Sequence, residues 1–426
     1  MKNVVTNSIK SGTGISPKEA IPGQKPPKVS VIIPTYNYAH FVKEAIQSVL
    51  NQDFDDYEII VVDDGSTDST PEVVAQFGRK VRYIRQENMG LSSARNTGIK
   101  AAQGEFIALL DADDTWLPGF LSATIARMEA EPYLGAVHTG FYFVDEHGRR
   151  LPQTNLETVP DDQMYDRLLD GEFFVPASVV TRRECFERVG LFDETFRGSE
   201  DWDIWLRVAR EYRFAGIPKP LLNYRMHGSN MSKDPAYMLH YQLMVVEKNF
   251  GSASGSPETW PVERRRAYAT VYRYAAQGYY LKNDRQKGEH YLRLALEANP
   301  ALTGSLDMFY ELGCADQPLG RRGDPAHLDV EKNAGLLLSG LAAIFALPDL
   351  SDRLRVRRRQ AVAHAYWALG LLGYGSGNLG LARAYLLQAV VNHPRLGMKR
   401  QVWSTFAKTM LGRRLLHTLK SCLKRT

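Results

Sequence analysis

The stretch FIALLDADDTW, residues 106–116, joins a wholly apolar run to three carboxylates. Its first five residues show no polar alternation, which indicates a strand that is covered on both faces. Asp111, Asp113 and Asp114 follow directly. In open α/β sheets, ligands bind beyond the carboxyl ends of the strands. The stretch therefore predicts a ligand site at this end of a buried strand.

Earlier segments repeat this design. The apolar runs VSVIIP (29–34) and EIIVV (58–62) are separated by residues with apolar side chains at helical spacing. Continuous apolar strands that alternate with helices are typical of a parallel sheet with helices on both faces. Thr35, Asp64 and Asp111 come at the ends of three such strands. We expect these side chains to line one crevice.

The length of 426 residues exceeds what one ordinary core holds, so we predict separate domains. The division is a disordered polar leader over 1–27, an α/β domain over 28–250, a Gly- and Ser-rich linker over 251–262 and a helical domain over 263–426. No segment has the apolar length of a membrane span, and the leader lacks the apolar run of a signal peptide. We expect a cytoplasmic protein.

The helical domain contains two similar stretches, 274–300 and 366–394, which share Ala, Gly, Tyr, Leu, Ala and Pro at corresponding positions. They resemble a degenerate tetratricopeptide helix pair. The alternative is an ordinary helical hairpin with small residues at its contact.

The end of the chain is strongly basic, since the last 74 residues hold 15 Lys and Arg and no acidic residue. Residues 395–426 combine apolar side chains with basic ones in the manner of an amphipathic helix that lies on the anionic inner face of a membrane. Contact with a partner protein and packing on the protein's own core are the alternatives. No nucleic-acid-binding module is present, so nucleic acid is not an expected partner.

Two acidic clusters carry the predicted chemistry. Asp111 and Asp113 are two residues apart and point the same way from a strand end, which suits Mg²⁺ or Mn²⁺; a turn or helix-capping role is the alternative. In GSEDWD (198–203), Asp201 continues the apolar stripe of a helix, whereas Asp203 aligns with its more polar side. Burial raises the pKa of a carboxyl, so Asp201 is a candidate general base.

The alternative for this second cluster is an ordinary helix start. Acidic side chains are favoured in a first helical turn, and Ser199 is placed to cap it.

The motifs IIPTYN, VVDDGSTD, SSARN, LLDADD and GSEDWD occur in this order between about residues 29 and 232. Together they resemble glycosyltransferase family 2, which has the GT-A fold. The resemblance implies that Thr35 and Tyr36 contact the nucleotide base and that Asp64 accepts its imide N–H. It assigns Arg95 to the base or a phosphate, and Asp111 to the ribose or the metal.

The same resemblance implies a Mg²⁺ or Mn²⁺ ion held by Asp113 and His227, with Asp111 beside it. It makes Asp201 the base that deprotonates the acceptor and gives Glu200 a supporting part on the acceptor side. The sugar contacts of this fold come from variable loops such as 160–176.

The processive members of the family carry a Q-x-x-R-W motif and membrane helices, which are absent from this sequence. The expected function is therefore inverting, non-processive transfer of a sugar from a nucleotide-diphosphate sugar, such as a UDP-sugar. The acceptor is a hydroxyl of a glycan or lipid-linked molecule in cell-surface polysaccharide synthesis. The alternative is a nucleotide-binding scaffold whose helical repeats bind a partner protein.

Overall fold

The structure of the chain is a computed structural model that describes residues 25–228, 230 and 233–410. The predicted leader therefore falls outside the described residues except for 25–27. The first half of the chain is an α/β domain built on one sheet of nine strands. The strands are β1 (Val29–Thr35), β2 (Tyr57–Asp63), β3 (Arg82–Arg85), β4 (Phe106–Leu109), β5 (Thr115–Trp116), β6 (Leu134–Asp145), β7 (Arg150–Asn155), β8 (Val179–Arg182) and β9 (Arg213–Met226).

The sheet has the order β3-β2-β1-β4-β8-β6-β9-β5, and β7 pairs with β6. Strands β1 to β4 are parallel, as expected. The expectation of a parallel sheet is wrong beyond them, because β8 runs antiparallel to both β4 and β6. The β6–β7 pair is antiparallel as well, since only the short turn over 146–149 joins the two strands.

The register of the parallel strands brings their carboxyl ends to one edge. Thr35 lies opposite Asp63, and Ile32 lies opposite Leu109 one residue before the end of the β4 apolar run. All seven residues of β1 are buried, and its alternate side chains enter different apolar clusters on the two faces of the sheet. The expected convergence of these strand ends is confirmed.

Helices cover the sheet and make up the second half of the described chain. They are α1 (Val42–Leu50), α2 (Thr70–Ala75), α3 (Leu91–Ala101), α4 (Phe120–Ala130), α5 (Met164–Leu168), α6 (Arg183–Val189), α7 (Glu200–Glu211), α8 (Pro235–Phe250), α9 (Val262–Leu281), α10 (Arg285–Ala298), α11 (Leu306–Gly313), α12 (Val330–Phe345), α13 (Asp352–Arg355), α14 (Arg358–Ser376), α15 (Leu379–Asn392) and α16 over 400–410.

The two similar stretches of the sequence form the helical hairpins α9–α10 and α14–α15. Pro300 and Pro394 each begin a short 3-10 turn just after a hairpin. The prediction of an α-helical second half is confirmed. Within the described ranges, no helix combines the length and the apolar composition needed to cross a bilayer.

Helix α9 also belongs to the core of the α/β half. Its Tyr268 and Val271 lie in the same apolar cluster as Trp202 and Trp205 of α7. Side chains of the two halves therefore pack together, and the domain division at 251–262 stays a prediction.

Candidate active site

The three carboxylates after β4 have different surroundings. Asp111 and Asp113 are partly exposed at the sheet edge. Asp114 is buried, and its Oδ1 accepts the backbone N–H of Arg225 at 2.8 Å. Burial raises the pKa of Asp114 well above its usual value, and the charges of Asp113 and Asp111 add to this effect. Asp114 therefore joins the strand tip to β9, while Asp111 and Asp113 keep part of their surface exposed.

His227 reaches the strand tip from the segment after β9. Its Nε2 lies 2.8 Å from Oδ2 of Asp113, and its ring packs 5.2 Å from that of Phe41. This contact is a hydrogen bond, and its nitrogen and oxygen atoms are of the kinds that bind Mg²⁺ or Mn²⁺. Over residues 25–228, 230 and 233–410, no group of three or more His, Cys, Asp or Glu side chains is arranged to hold a metal. A metal here would need further ligands, such as phosphate oxygens.

Arg95 is the buried link between the strand tip and α7. Its Nη2 donates to Oδ1 of Asp111 at 2.7 Å and its Nη1 donates to Oε1 of Glu200 at 2.5 Å. Only 1% of Arg95 is exposed. Burial alone would lower the pKa of Arg95, but the charges of Asp111 and Glu200 outweigh it and raise that pKa. The guanidinium is thus held by protein carboxylates, and its contact with a nucleotide stays a prediction.

Asp201 lies in the first turn of α7, half-buried beside Glu200. Its Oδ1 accepts the backbone N–H of Trp202 at 3.0 Å. Burial first, and then the charge of Glu200, raise the pKa of Asp201 to about 7. The inward position predicted for this carboxyl agrees with that environment.

The residue before α7, Ser199, has a φ of 54° and its side chain makes no capping hydrogen bond. A residue other than glycine seldom adopts this left-handed conformation, which costs energy and is found more often near functional sites. The helix does begin directly after Ser199, as the alternative of an ordinary helix start predicts, but the Ser199 side chain does not cap it.

The prediction that Asp203 lies on the more polar side of α7 is wrong. The residue is fully buried, and its Oδ2 pairs with Arg207 at 2.8 Å and with Lys248 at 3.0 Å. Helix α8 covers this side of α7 and also supplies Asn249, which donates to Oδ1. The periodicity of α7 alone gave no sign of this cover.

Glu172, in the connection between α5 and β8, was not singled out from the sequence. Its carboxyl is hydrogen-bonded to that of Asp201. Oε1 of Glu172 is buried, and no N–H or O–H group of the described chain donates to it. Burial first, and then the charges of Asp201 and Glu200, raise the pKa of Glu172 well above its usual value. Burial therefore favours the neutral form of Glu172, which lies beside the carboxyl of Asp201.

The connection that carries Glu172 is fixed by α9. The Thr270 hydroxyl donates to the carbonyl of Leu169 at 3.1 Å, and Nη2 of Arg273 donates to the carbonyl of Asp170 at 3.1 Å. The second half of the chain thus holds a segment of the site. No local pattern in the sequence around Glu172 indicates this contact.

The residues predicted to bind the base lie at the same sheet edge. Thr35 is buried, and its Oγ1 has no hydrogen-bond partner within the described residues. Tyr36 next to it is 45% exposed. Asp64 is buried and accepts hydrogen bonds from Gln86 Nε2 and from the backbone N–H groups of Met89 and Gly90. Asp64 therefore fixes the loop before α3, and its contact with a base stays a prediction.

The sequence profile of Glycosyl transferase family 2 matches residues 30–190. An uncharacterized glycosyltransferase from Methanocaldococcus jannaschii is 31% identical over 235 residues, which cover 52% of this chain and 80% of that protein. The chain belongs to glycosyltransferase family 2. Its GT-A fold class, expected from the motifs, is confirmed by this membership together with the α/β sheet domain and the helical region.

Other family 2 relatives overlap less of their own length. EpsJ of Bacillus subtilis, an uncharacterized glycosyltransferase, is 34% identical over 221 residues, or 49% of this chain and 64% of EpsJ. A Rickettsia bellii relative is 32% identical over 205 residues and 48% of this chain. The chain spans between 29% and 65% of the length of five rickettsial relatives.

The solved structures that match this chain include S. aureus TarS 1–349. That comparison covers 86% of this chain and 92% of the TarS chain at 18% identity, with a TM-score of 0.45. A second solved structure is the mannosyltransferase PcManGT from Pyrobaculum calidifontis, in complex with GDP-Man and Mn²⁺. The comparison covers 80% of this chain and 88% of the PcManGT chain at 21% identity. Its TM-score is 0.46.

Proposed function

We propose that the chain is a metal-dependent, inverting, non-processive glycosyltransferase. Its donor is a nucleotide-diphosphate sugar, a UDP-sugar in the first instance, and its acceptor is a hydroxyl of a glycan or lipid-linked molecule in cell-surface polysaccharide synthesis. The observation that carries the proposal is the pair of ion contacts by which the buried Arg95 joins Asp111 to Glu200, beside Asp201. These contacts hold Asp111, at the proposed donor side, at a fixed distance from Glu200, at the proposed acceptor side. A fixed distance between the two sides favours transfer of a group between two bound molecules.

Asp201 is the proposed general base. A carboxyl with a pKa of about 7 is about half ionised at neutral pH, which suits a group that must accept a proton. The acceptor hydroxyl gives its proton to Asp201 while its oxygen bonds to the anomeric carbon and the bond from that carbon to the diphosphate breaks. One displacement of this kind inverts the configuration. Glu200, held by Arg95, and Glu172 position the base.

Asp113 and His227 are the proposed metal ligands, and Asp111 is shared between metal and ribose. Their oxygen and nitrogen donors suit Mg²⁺ or Mn²⁺ with phosphate oxygens as further ligands. When bound, such an ion supplies charge neutralisation to the departing diphosphate. Thr35, Tyr36 and Asp64 are proposed to surround the base, with Tyr36 offering an exposed ring for stacking.

We also propose a cytoplasmic location at the inner face of the membrane, where a lipid-linked acceptor would be met. The basic end of the sequence supports this proposal.

The test begins with a thermal-shift screen of nucleotide sugars with and without Mn²⁺, followed by a transfer assay with the donor found. Asp201→Asn is expected to lower turnover at least a hundredfold while the donor-induced shift remains. Asp113→Ala is expected to remove the metal-dependent part of the shift. Asp352→Asn, at an exposed carboxylate of α13, is the matched control.

Near wild-type turnover of Asp201→Asn would show that another group is the base. If no donor were hydrolysed or transferred although one bound, the scaffold alternative would be favoured.

A further inference from the structure

Helices α15 and α16 present an apolar surface to solvent. Five large apolar side chains on and between these helices are exposed, from 47% for Leu387 and Trp403 to 86% for Met398. They are Leu387, Val391, Met398, Trp403 and Met410, here named the α15–α16 face. Isolated exposed apolar residues are ordinary on a protein surface, whereas a connected group marks an interaction site.

Contacts join α15 to α16 and to the segment before it at both ends of the face. At one end, Arg383 of α15 donates to the carbonyl of Thr409 and contacts the sulfur of Met410 at 3.8 Å. At the other end, the indole N–H of Trp403 donates to the carbonyl of Gly397, which lies against Val390 of α15. The two helices therefore run side by side in opposite directions.

Leu387 and Val391 follow Arg383 at spacings of four residues and lie on its side of α15. Their stripe therefore runs along the exposed side chains of α16.

Positive charge surrounds this face. Arg395, Lys399, Arg400 and Lys408 are all exposed, and no acidic residue follows Asp352 anywhere in the sequence. An apolar surface with an indole and a rim of Lys and Arg matches the headgroup region of an anionic bilayer, where apolar side chains enter the acyl boundary and cations contact the lipid phosphates. A surface that only packed on protein would need acidic groups opposite this rim.

Two other candidate occupants of the α15–α16 face would complement its positive charge less well than an anionic membrane. Residues 411–426, outside the described residues, carry five Lys and Arg and no acid, so they would bring like charge to the rim. A second copy of the same face would do so too. Charge complementarity therefore favours an anionic partner, and the exposed tryptophan and leucine beside Lys and Arg favour a lipid surface.

We propose that the α15–α16 face is a docking site for an anionic lipid bilayer. This inference stands apart from the transferase proposal, because it concerns binding of the chain to lipid without donor or acceptor.

The test is co-sedimentation of the full chain with vesicles of phosphatidylcholine alone or with 30% phosphatidylglycerol. Binding to the anionic vesicles, little binding to the neutral ones and a decline at high salt are expected. Lys399→Gln/Arg400→Gln should lower the partition coefficient roughly 25-fold, about fivefold for each charge. Leu387→Ser/Val391→Ser should lower it about tenfold or more.

Val262→Ser/Val356→Ser is the matched control, since these exposed valines lie outside the face; it should bind like the wild type. Absence of binding to anionic vesicles at low salt overturns the proposal, as does equal binding to neutral vesicles. An equal loss in the control pair overturns it too. So does a face variant that changes the oligomeric state by size exclusion but leaves vesicle binding intact, since the face would then bind a second copy.

Discussion

Replacement of Glu172 tests whether a protonated carboxyl tunes the proposed base. The pKa of Asp201 is about 7, raised by burial and by Glu200, while burial and the charge of Asp201 raise the pKa of Glu172 well above its usual value. We expect Glu172 to stay protonated when Asp201 ionises and to donate a hydrogen bond to it. Glu172→Gln keeps a hydrogen-bond donor on a side chain of the same shape, whereas Glu172→Met keeps the length of the side chain and removes the donor.

The size of the effect follows from that hydrogen bond. A hydrogen bond to a charged group contributes about 1.5 to 3 kcal/mol, and one pH unit corresponds to about 1.4 kcal/mol. Without the donor, the anionic form of Asp201 is less stable, so its pKa rises. A general base acts when it is ionised, so the acid limb of the turnover–pH profile should move upward by about one to two pH units in Glu172→Met. In Glu172→Gln it should stay near 7.

The assay is turnover at saturating donor and acceptor between pH 5.5 and 9.5. Glu157→Met is the control, because Glu157 precedes the same segment and pairs with Arg167 at the surface. If the profile of Glu172→Met superimposed on that of the wild type, the proposed hydrogen bond to the ionised base would be refuted. A loss in Glu172→Gln as deep as in Asp201→Asn would mean that Glu172 itself must ionise.

Three further changes have expected outcomes that urea unfolding or transfer assays can measure. Arg95→Met should lower the free energy of unfolding by about 3 to 5 kcal/mol, because the buried Glu200 and the partly buried Asp111 lose their cation; Arg188→Met, at an exposed pair with Glu211, should cost less than about 1 kcal/mol. His138 is buried without a partner among the described residues, and burial lowers its pKa to about 4. Its neutral form contributes stability that is complete above pH 6.5 and falls by roughly 3 kcal/mol as the pH drops to 4, and His138→Leu should lack this decline. Asp203→Asn should lower stability by about 2 kcal/mol and keep turnover, the reverse of Asp201→Asn; loss of turnover in a folded Asp203→Asn protein would contradict the separate tasks of the two carboxylates.

The parts of the fold and site that the sequence predicted are those specified within one segment. The β4 run and its acidic tip are contiguous, so strand, burial and edge position follow from a few residues. The helical spacing of α7 was a weaker guide, because Asp201, expected inward, is half-buried, whereas Asp203, expected on the polar side, is fully buried. The reversal of β8 was missed, because strand direction depends on the path of the connecting chain rather than on the strand's own pattern.

The polar partners of buried groups were also missed, since they come from distant parts of the chain. Glu200 is 105 residues from Arg95, and Lys248 is 45 residues from Asp203. Periodicity indicates which side of an element is apolar, although for Asp203 it failed even in this. It does not tell which opposite charge will be there.

One signal in the sequence does bear on Arg95. Helix α3 contains the run SSARNTG, and six of these seven residues are buried; Thr97, the other, is half-buried. Small residues let neighbouring backbone and side chains approach closely: a Cβ at Gly98 would lie 2.3 Å from a side-chain carbon of Ile32. A helix whose polar residues have no solvent side must pair them inside the protein, and a buried guanidinium requires carboxylates. An arginine within such a run therefore predicts a buried acidic partner, and here Asp111 and Glu200 take that role.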